Sequence, residues 1–395
     1  MADAQQQEGR TSAGPLVRSL LDDGSMSPDW AEAFEAVPRA AFLPDGIWAH
    51  DMTTGGSTYV HRLTDPGTWE QYAESVRVPI ITQWDDGEHA GPDPGRIPTS
   101  SSSEPRLVAA YLRDADVRPP MRVLLIGTGT GWDTGLLSYR LGGGSVFSVE
   151  VDPAVAEAAR SRLLSRGLYP VVITGDGSLG FACGSPYDRV IITAGVRAIA
   201  PALLEQTREG GLILCPWGTH YDNVDALLRL TVSADGSASG PFLRMVEFMK
   251  LRNQRLDWGR FDAQIGGEYP GSADESTTTL TPADLGGRWT TARFVMGLAL
   301  RDCTHAINEV AGVTRAWFLS LSDESWASIE FRQDETPATV YQSGPRRLVG
   351  EVETALHWWE RQGRPPLDRF GLTVTPDGTQ RPWLGDLSNP LPALN

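Results

Sequence analysis

The stretch RVLLIGTGTGWDTGLLSYRLGGGSVFSVEVD, residues 122–152, governs how the fold is read. Val123–Ile126 is a short apolar run with the composition of a fully buried strand. Gly127, Gly129 and Gly131 follow at G-x-G-x-G spacing, and residues without a Cβ let the backbone approach a ligand closely. A helical pattern opens directly behind them, and a helix start presents unpaired N–H groups. A second apolar run, SVFSVEV, carries Glu150 near its end. A dinucleotide fingerprint would space its glycines G-x-G-x-x-G, and a phosphate loop would add a lysine. Neither stands here. GDGSLG at 175–180 has the former spacing on paper, but no long crossover helix obviously opens there and no acid is placed for a ribose.

The pattern continues on both sides. PRLVAAYLRDA (105–115) is helical in period, and PAVAEAARSRLLSRG (153–167) is a helix with Pro153 at its start and Gly167 at its end. PVVITGD, YDRVIITA and GGLILCPWG supply the third, fourth and fifth strands. Strands alternating with helices imply right-handed crossovers and a parallel sheet covered on both faces. From Asp225 to Met249 the pattern becomes strand, turn at Asp235-Gly236, strand: an antiparallel hairpin that closes one edge. Residues 104–251 therefore read as a Rossmann-like α/β core.

Ligands of open parallel sheets sit at the carboxyl ends of the strands. Glu150 ends the second strand, where a carboxylate accepts both ribose hydroxyls; Asp176 ends the third, beside Gly177, and accepts from an adenine amine. An isolated acid of this kind is more often a turn or helix cap. Cradle, ribose acceptor and adenine acceptor in order point to S-adenosylmethionine, with S-adenosylhomocysteine as product. The residues expected to bind it are Gly127, Thr128, Gly129, Gly131, Trp132, Glu150, Asp176 and Gly177.

The flanks read as two further regions. In 1–103, residues 1–14 are polar and expected to be disordered, and a short helix begins at Ser27 as N-cap with Pro28 behind it. Residues 44–103 read as short strands and long loops, with RVPIIT (77–82) a strand. Residues 252–395 read as a separate α+β accessory domain. It opens with a linker and carries an amphipathic helix at 346–363 with Leu348, Val352, Ala355 or Leu356, and Trp359 on one stripe, then a hairpin turning at Pro376-Asp377-Gly378. Seven of the 13 tryptophans lie beyond residue 252, as core packing or as a groove that grips a peptide.

Composition narrows the function. The chain of 395 residues is 41% apolar, enough for sizeable cores. Its net charge of −16 argues against nucleic-acid backbones and anionic membranes as main partners. No apolar run approaches a membrane span and the N-terminus does not read as a signal peptide, so a cytoplasmic protein is expected. Cys183, Cys215 and Cys303 are odd in number and far apart, and the histidines are scattered, so no disulfide framework and no metal is expected. Lys250 is the sole lysine, which reads as a trace of GC-rich coding.

Taken together these segments resemble the protein-L-isoaspartate O-methyltransferase family. The residues that carry the resemblance are AFEAVPRAAFLPD (33–45), SSSEPRLVAAYL (101–112), LLIGTGTGW (124–132), SVFSVEVDP (145–153), GDGSLG (175–180), SPYDRVIITAG (185–195) and LLEQTREGGLILCPWG, followed by the closing hairpin. The resemblance covers roughly residues 28–251. It implies the class I methyltransferase fold, a seven-stranded sheet with one reversed strand, and methyl transfer to a carboxylate. Two departures stand out: an insertion between Asp45 and Thr99, and a C-terminal region without a counterpart in the repair enzyme. With the hydroxyl run Thr99–Ser103, they resemble the family's natural-product branch, associated with lanthipeptides and graspetides. Its members methylate an ordinary aspartate of a modified precursor peptide; the ester then closes to a succinimide and on to isoaspartate. The alternative is the isoaspartate repair enzyme itself. A small-molecule carboxyl methyltransferase and a non-catalytic adenosyl-binding scaffold are the remaining readings.

A carboxylate acceptor is already ionised at neutral pH, its ordinary pKa being about 4, so no general base is required. It needs positioning in line with the methyl–sulfur bond. Neutral hydroxyls orient an anion without over-stabilising it, which designates Ser101, Ser102 and Ser103, with Ser103 aligned to the family's substrate serine. Ser103 also stands where a helix N-cap is expected.

Overall fold

The computed structural model describes residues 14–257, 261, 264–265, 269–332 and 337–392. The expectation of disorder for 1–14 falls, save for Gly14, outside the described residues. The chain divides into two compact units. One comprises residues up to Thr193 with Ala202–Leu214; the other comprises Ala194–Pro201 with Cys215 onward.

The first unit begins with α1 (Pro15–Asp22), which buries Leu16, Val17 and Leu20, and α2 (Ala31–Ala36). A single helical turn, Pro28–Trp30, leads into α2; Ser27 holds the N-cap position, but its hydroxyl bonds the Asp29 carboxylate and caps nothing. The segment expected to hold short strands and long loops forms an ordered layer. β1 (Gly46–His50), β2 (Ser57–His61), α3 (Pro66–Ala73), β3 (Ile80–Trp84) and β4 (Pro98–Ser102) form an antiparallel sheet in the order β2-β1-β3-β4. Leu43, Ile47, Val60, Trp69, Ala73 and Ile80 form its core.

Then comes the alternating part. α4 (Pro105–Ala115) is followed by β5 (Val123–Ile126), α5 (Trp132–Leu141), β6 (Val146–Glu150), α6 (Pro153–Ser165), β7 (Val171–Thr174), β8 (Tyr187–Ile192), α7 (Pro201–Glu205) and β9 (Thr207–Trp217). β9, β8, β5, β6 and β7 run parallel in that order. Every residue of β5 and β6 is buried, as a sheet covered on both faces requires. The expected ends of α6 hold: Asp152 caps its start by accepting from the Ala154 and Val155 N–H groups, and Leu168 N–H returns to Leu163 O past left-handed Gly167.

In the second unit, β10 (Asp225–Val232) and β11 (Ala238–Val246) form the expected hairpin, with Gly236 left-handed in its turn. The five parallel strands and these two account for the seven of the methyltransferase fold. Beyond them lie β12 (Asp274–Thr278), α8 (Thr291–Ala299), β13 (Cys303–Val310), β14 (Val313–Ser320), β15 (Trp326–Phe331), β16 (Ala338–Ser343) and α9 (Leu348–Arg361). The sheet β12-β16-β15-β14-β13 packs Phe318, Ile329 and Val340 against Met296 of α8 and Leu348, Val352 and Leu356 of α9. β17 (Phe370–Val374) and β18 (Gln380–Leu384) form the C-terminal hairpin, and β17 pairs with β11. Residues 252–395 are thus no free-standing module: the last hairpin returns to β11 and covers an edge that would otherwise be open. Lys250, the sole lysine, is half-buried; its Nζ donates to Asp225 Oδ2 at 2.5 Å and to the Asn223 and Phe248 carbonyls, while Arg197 takes the other Asp225 oxygen at 2.6 Å. It is a structural cation.

One side chain ties α3 and the segment behind it to the end of β4. Arg39 is 1% exposed. Its guanidinium donates to the carbonyls of Tyr72, Ser75, Val78, Ser102 and Ser103, and to Ser102 Oγ at 3.0 Å. Burial pulls its pKa down to about 9, while Asp133, Glu104 and Glu74 pull it back up, so it stays charged at neutral pH. Arg39→Met strands those carbonyls without a donor, and urea denaturation is expected to show a loss of at least about 3 kcal/mol, with Arg39→Lys falling between. A loss under about 1 kcal/mol for Arg39→Met, the worth of one ordinary hydrogen bond, would remove Arg39 from this role.

Candidate active site

β5 runs into three left-handed glycines: Gly127 at φ +94°, Gly129 at +53° and Gly131 at +93°. Each is hemmed in. A Cβ on Gly127 would stand 2.6 Å from Thr193 Oγ1, on Gly129 3.2 Å from the Ser101 carbonyl oxygen, and on Gly131 3.2 Å from Ala159 Cβ. The cradle is therefore bare backbone, followed directly by the start of α5 and its N–H groups.

Glu150, 9% exposed, closes the cradle. Its Oε2 accepts the Gly129 N–H at 2.9 Å and its Oε1 the Asp152 N–H at 3.1 Å. A carboxylate offers about four acceptor positions, so two remain for the hydroxyls of a ribose. Asp176 is exposed at the end of the third strand. Its Oδ1 accepts from the N–H and hydroxyl of Ser178, capping the turn Gly177–Leu179. Gly177 is buried, and a Cβ there would meet Ile126 Cγ2 at 2.3 Å, so the third strand end lies tight against the first. Bare cradle, ribose acceptor and exposed acid fit S-adenosylmethionine.

Three expected contacts need correction. Thr128 is buried with its hydroxyl 2.6 Å from Ser148 Oγ, so only its backbone belongs to the loop. The Trp132 indole turns into the N-terminal layer, donating to Val37 O at 2.9 Å and packing edge-on against Phe34. Ser102 is 3% exposed with its oxygen on Arg39, a strut and not a contact for an acceptor. The reason is the period of two along β4: Ser100 and Ser102 point into the structure, Ser101 and Ser103 to the half-buried side. The N-cap of α4 is Glu104, without a side-chain cap bond, so Ser103 is not a capping residue.

A family model described as Protein-L-isoaspartate(D-aspartate) O-methyltransferase (PCMT) matches residues 94–256. A protein-L-isoaspartate O-methyltransferase of Ignicoccus hospitalis is 38% identical over 204 residues, 51% of this chain and 79% of that protein. The chain belongs to the protein-L-isoaspartate O-methyltransferase family. The Pyrococcus horikoshii enzyme of the same name is 41% identical over 147 residues, 37% of this chain. The matched part spans 66% of that relative and 60% of the one from Pyrococcus abyssi. A solved structure titled protein-L-isoaspartate O-methyltransferase superposes at a TM-score of 0.54 with 21% identity, over 94% of this chain and 99% of its own. The fold is that of the class I S-adenosylmethionine-dependent methyltransferases. That coverage reaches well past residue 252, so the C-terminal region does have a counterpart in a solved chain of that title, contrary to the expectation from sequence. Among the described residues no group of three or more His, Cys, Asp or Glu side chains could hold a metal, and no helix is long and apolar enough to cross a membrane.

Two residues behind the glycine loop escaped the sequence reading. Asp133, in the first turn of α5, accepts a short hydrogen bond from the Tyr111 hydroxyl. Burial pushes its carboxyl up to about 6, against the opposing pull of Tyr111 and Arg39. The signal was an acid directly behind the glycine loop, set two residues after Gly131. Because the folded pKa lies above the ordinary value, the folded state binds this proton more tightly. The cost of holding the charge is full above pH 6 and is relieved as pH falls towards 4. Asp133→Asn is expected to melt roughly 2–4 °C higher than wild type at pH 8, with the gap closing below pH 6; a gap independent of pH would refute the assignment. Gly129→Ala forces a side chain into a left-handed site against Ser101. Calorimetry should show at least about tenfold weaker S-adenosylhomocysteine binding, and unchanged affinity would exclude the cradle.

Proposed function

We propose that this chain is an S-adenosylmethionine-dependent carboxyl O-methyltransferase whose acceptor is a carboxylate of a peptide. The observation that carries this reading is the nearness of the Ser101 carbonyl to Gly129, where an added Cβ would stand 3.2 Å from it: the strand offered for the acceptor runs beside the loop offered for the donor. The cofactor, when bound, supplies a methyl group on a positively charged sulfur. The backbone of Gly127–Gly131, Glu150 and Asp176 would hold it. Ser101 and Ser103 would orient the acceptor through neutral hydroxyls. Arg39 spends its donors on backbone carbonyls and so does not clamp the acceptor. That matters because methyl transfer joins an anion to a cation, and an acceptor held by a full positive charge would react more slowly.

The names of the relatives support an isoaspartyl acceptor. The aspartate side chain of a ribosomally made, modified peptide of the lanthipeptide or graspetide kind is the second reading. What favours it is the hydroxyl-rich run Thr99–Ser103, of which Ser101 and Ser103 lie on the half-buried side. Ring closure to a succinimide then needs only the neighbouring N–H, and a small residue such as glycine after the aspartate would speed it.

Release of S-adenosylhomocysteine is the test. A synthetic isoaspartyl hexapeptide and a macrocyclic peptide carrying Asp-Gly are each incubated with the enzyme and S-adenosylmethionine. Methyl ester on the first supports the isoaspartyl acceptor. Ester followed by net loss of methanol on the second alone supports the natural-product reading. Failure of wild-type protein to take up S-adenosylhomocysteine would sink both.

A further inference from the structure

Gln83 stands at a junction that neither the glycine loop nor the serines account for. Its Nε2 donates to Asp152 Oδ2 at 3.0 Å, and its Oε1 accepts the Thr99 hydroxyl at 2.9 Å. From Asp152 the path continues: its N–H donates to Glu150 Oε1, and Glu150 Oε2 accepts the Gly129 N–H. Gly129 lies against the Ser101 carbonyl. Ser101 pairs with Ile81 and Ser100 with Gln83 across β3 and β4. The path thus returns to its starting strand. The acid at the end of β6, the glycine loop and the serine strand are members of one closed circuit, and Gln83 is the side chain that completes it.

The chemistry of the amide suits this place. A glutamine has a donor and an acceptor at one end, so it satisfies a carboxylate on one side and a hydroxyl on the other at once. A glutamate would set two carboxylates together, and a leucine would leave the Asp152 oxygen, in a residue only 5% exposed, without this donor. Asp152 has a second task, capping α6 through Oδ1. The circuit is therefore anchored on a rigid element and not on a loop.

We propose that Gln83 is a positioning residue that couples occupancy of the cofactor cradle to the placement of β4, and so of Ser101 and Ser103. This rests on the cofactor reading given above. A ligand that engages Glu150 and the Gly129 backbone holds two members of the circuit, and through Gln83 it holds the acceptor strand as well. Coupling of this kind is reciprocal: the acceptor, once seated on β4, tightens the hold on the cofactor by the same factor.

Hydrogen–deuterium exchange of the full chain, with and without saturating S-adenosylhomocysteine, reads the coupling directly. In wild type, the ligand is expected to slow exchange of the Thr99–Ser103 amides by about fivefold or more. Gln83→Leu removes the bonds to Asp152 and to Thr99 together, and Thr99→Val removes only the side-chain bond between Gln83 and β4, so either weakens the coupling if the other folds poorly. In both variants calorimetry should still show ligand uptake, while the ligand-dependent slowing in 99–103 falls below about twofold. A purely structural role would raise exchange equally with and without ligand. Equal slowing in wild type and variants, or no slowing in wild type despite uptake, overturns the coupling and leaves the cofactor reading standing. No uptake by wild type overturns both.

Discussion

A guanidinium enclosed by protein must find acceptors for its donors, because a buried charge without partners is far costlier than an exposed one. Arg39 finds them in the backbone of two separate stretches, 72–78 and 102–103. Those carbonyls can no longer drift independently: whatever position Ser102 takes, Tyr72 and Val78 take with it. This is how α3 and the segment behind it come to be fixed to the strand that carries the serines. It also explains why Ser102 is withdrawn from the surface. The residue that fastens the strand cannot also be the one that greets a ligand.

At the strand ends the arrangement is acidic. Glu150, Asp152 and Asp176 succeed one another, two of them occupied in holding backbone N–H groups next to the glycines or at the start of α6. A cofactor rich in phosphate would have to be held beside these carboxylates. A nucleoside bearing a positive sulfur meets them favourably. The same logic separates this loop from the dinucleotide and phosphate loops, which differ in glycine spacing and in their cations.

Much of this was legible from residue order alone. The runs VLLI and VFSVE are buried at every position, so their mainly apolar character was a sound sign of a two-sided sheet. Pro153 and Gly167 marked the ends of their helix because each is preorganised for that place. The C-terminal sheet was not legible, for a physical reason. On β14, Phe318 faces one core while Trp317 and Leu319 face another cluster with Tyr269 and Phe261. With apolar residues on both faces the period of two is erased. α8 was missed because Phe294–Ala299 are buried in succession, which leaves no polar face to reveal a helix. Arg39 and Gln83 act through partners far away in sequence, and no local pattern announces such contacts. The serine run was half legible: its chemistry was plain, but which hydroxyls face outward depends on the strand.

Lys250 carries a consequence outside folding. It is the chain's sole lysine, and its ammonium is enclosed by Asp225 and two carbonyl oxygens. Every other side-chain cation is therefore an arginine or a histidine. Methyl esters and cyclic imides of aspartate are electrophiles, and primary amines are the nucleophiles that would capture them. An activated peptide of that kind would meet a lysine amine here only at Lys250, whose nitrogen already donates to Asp225 and to two carbonyls.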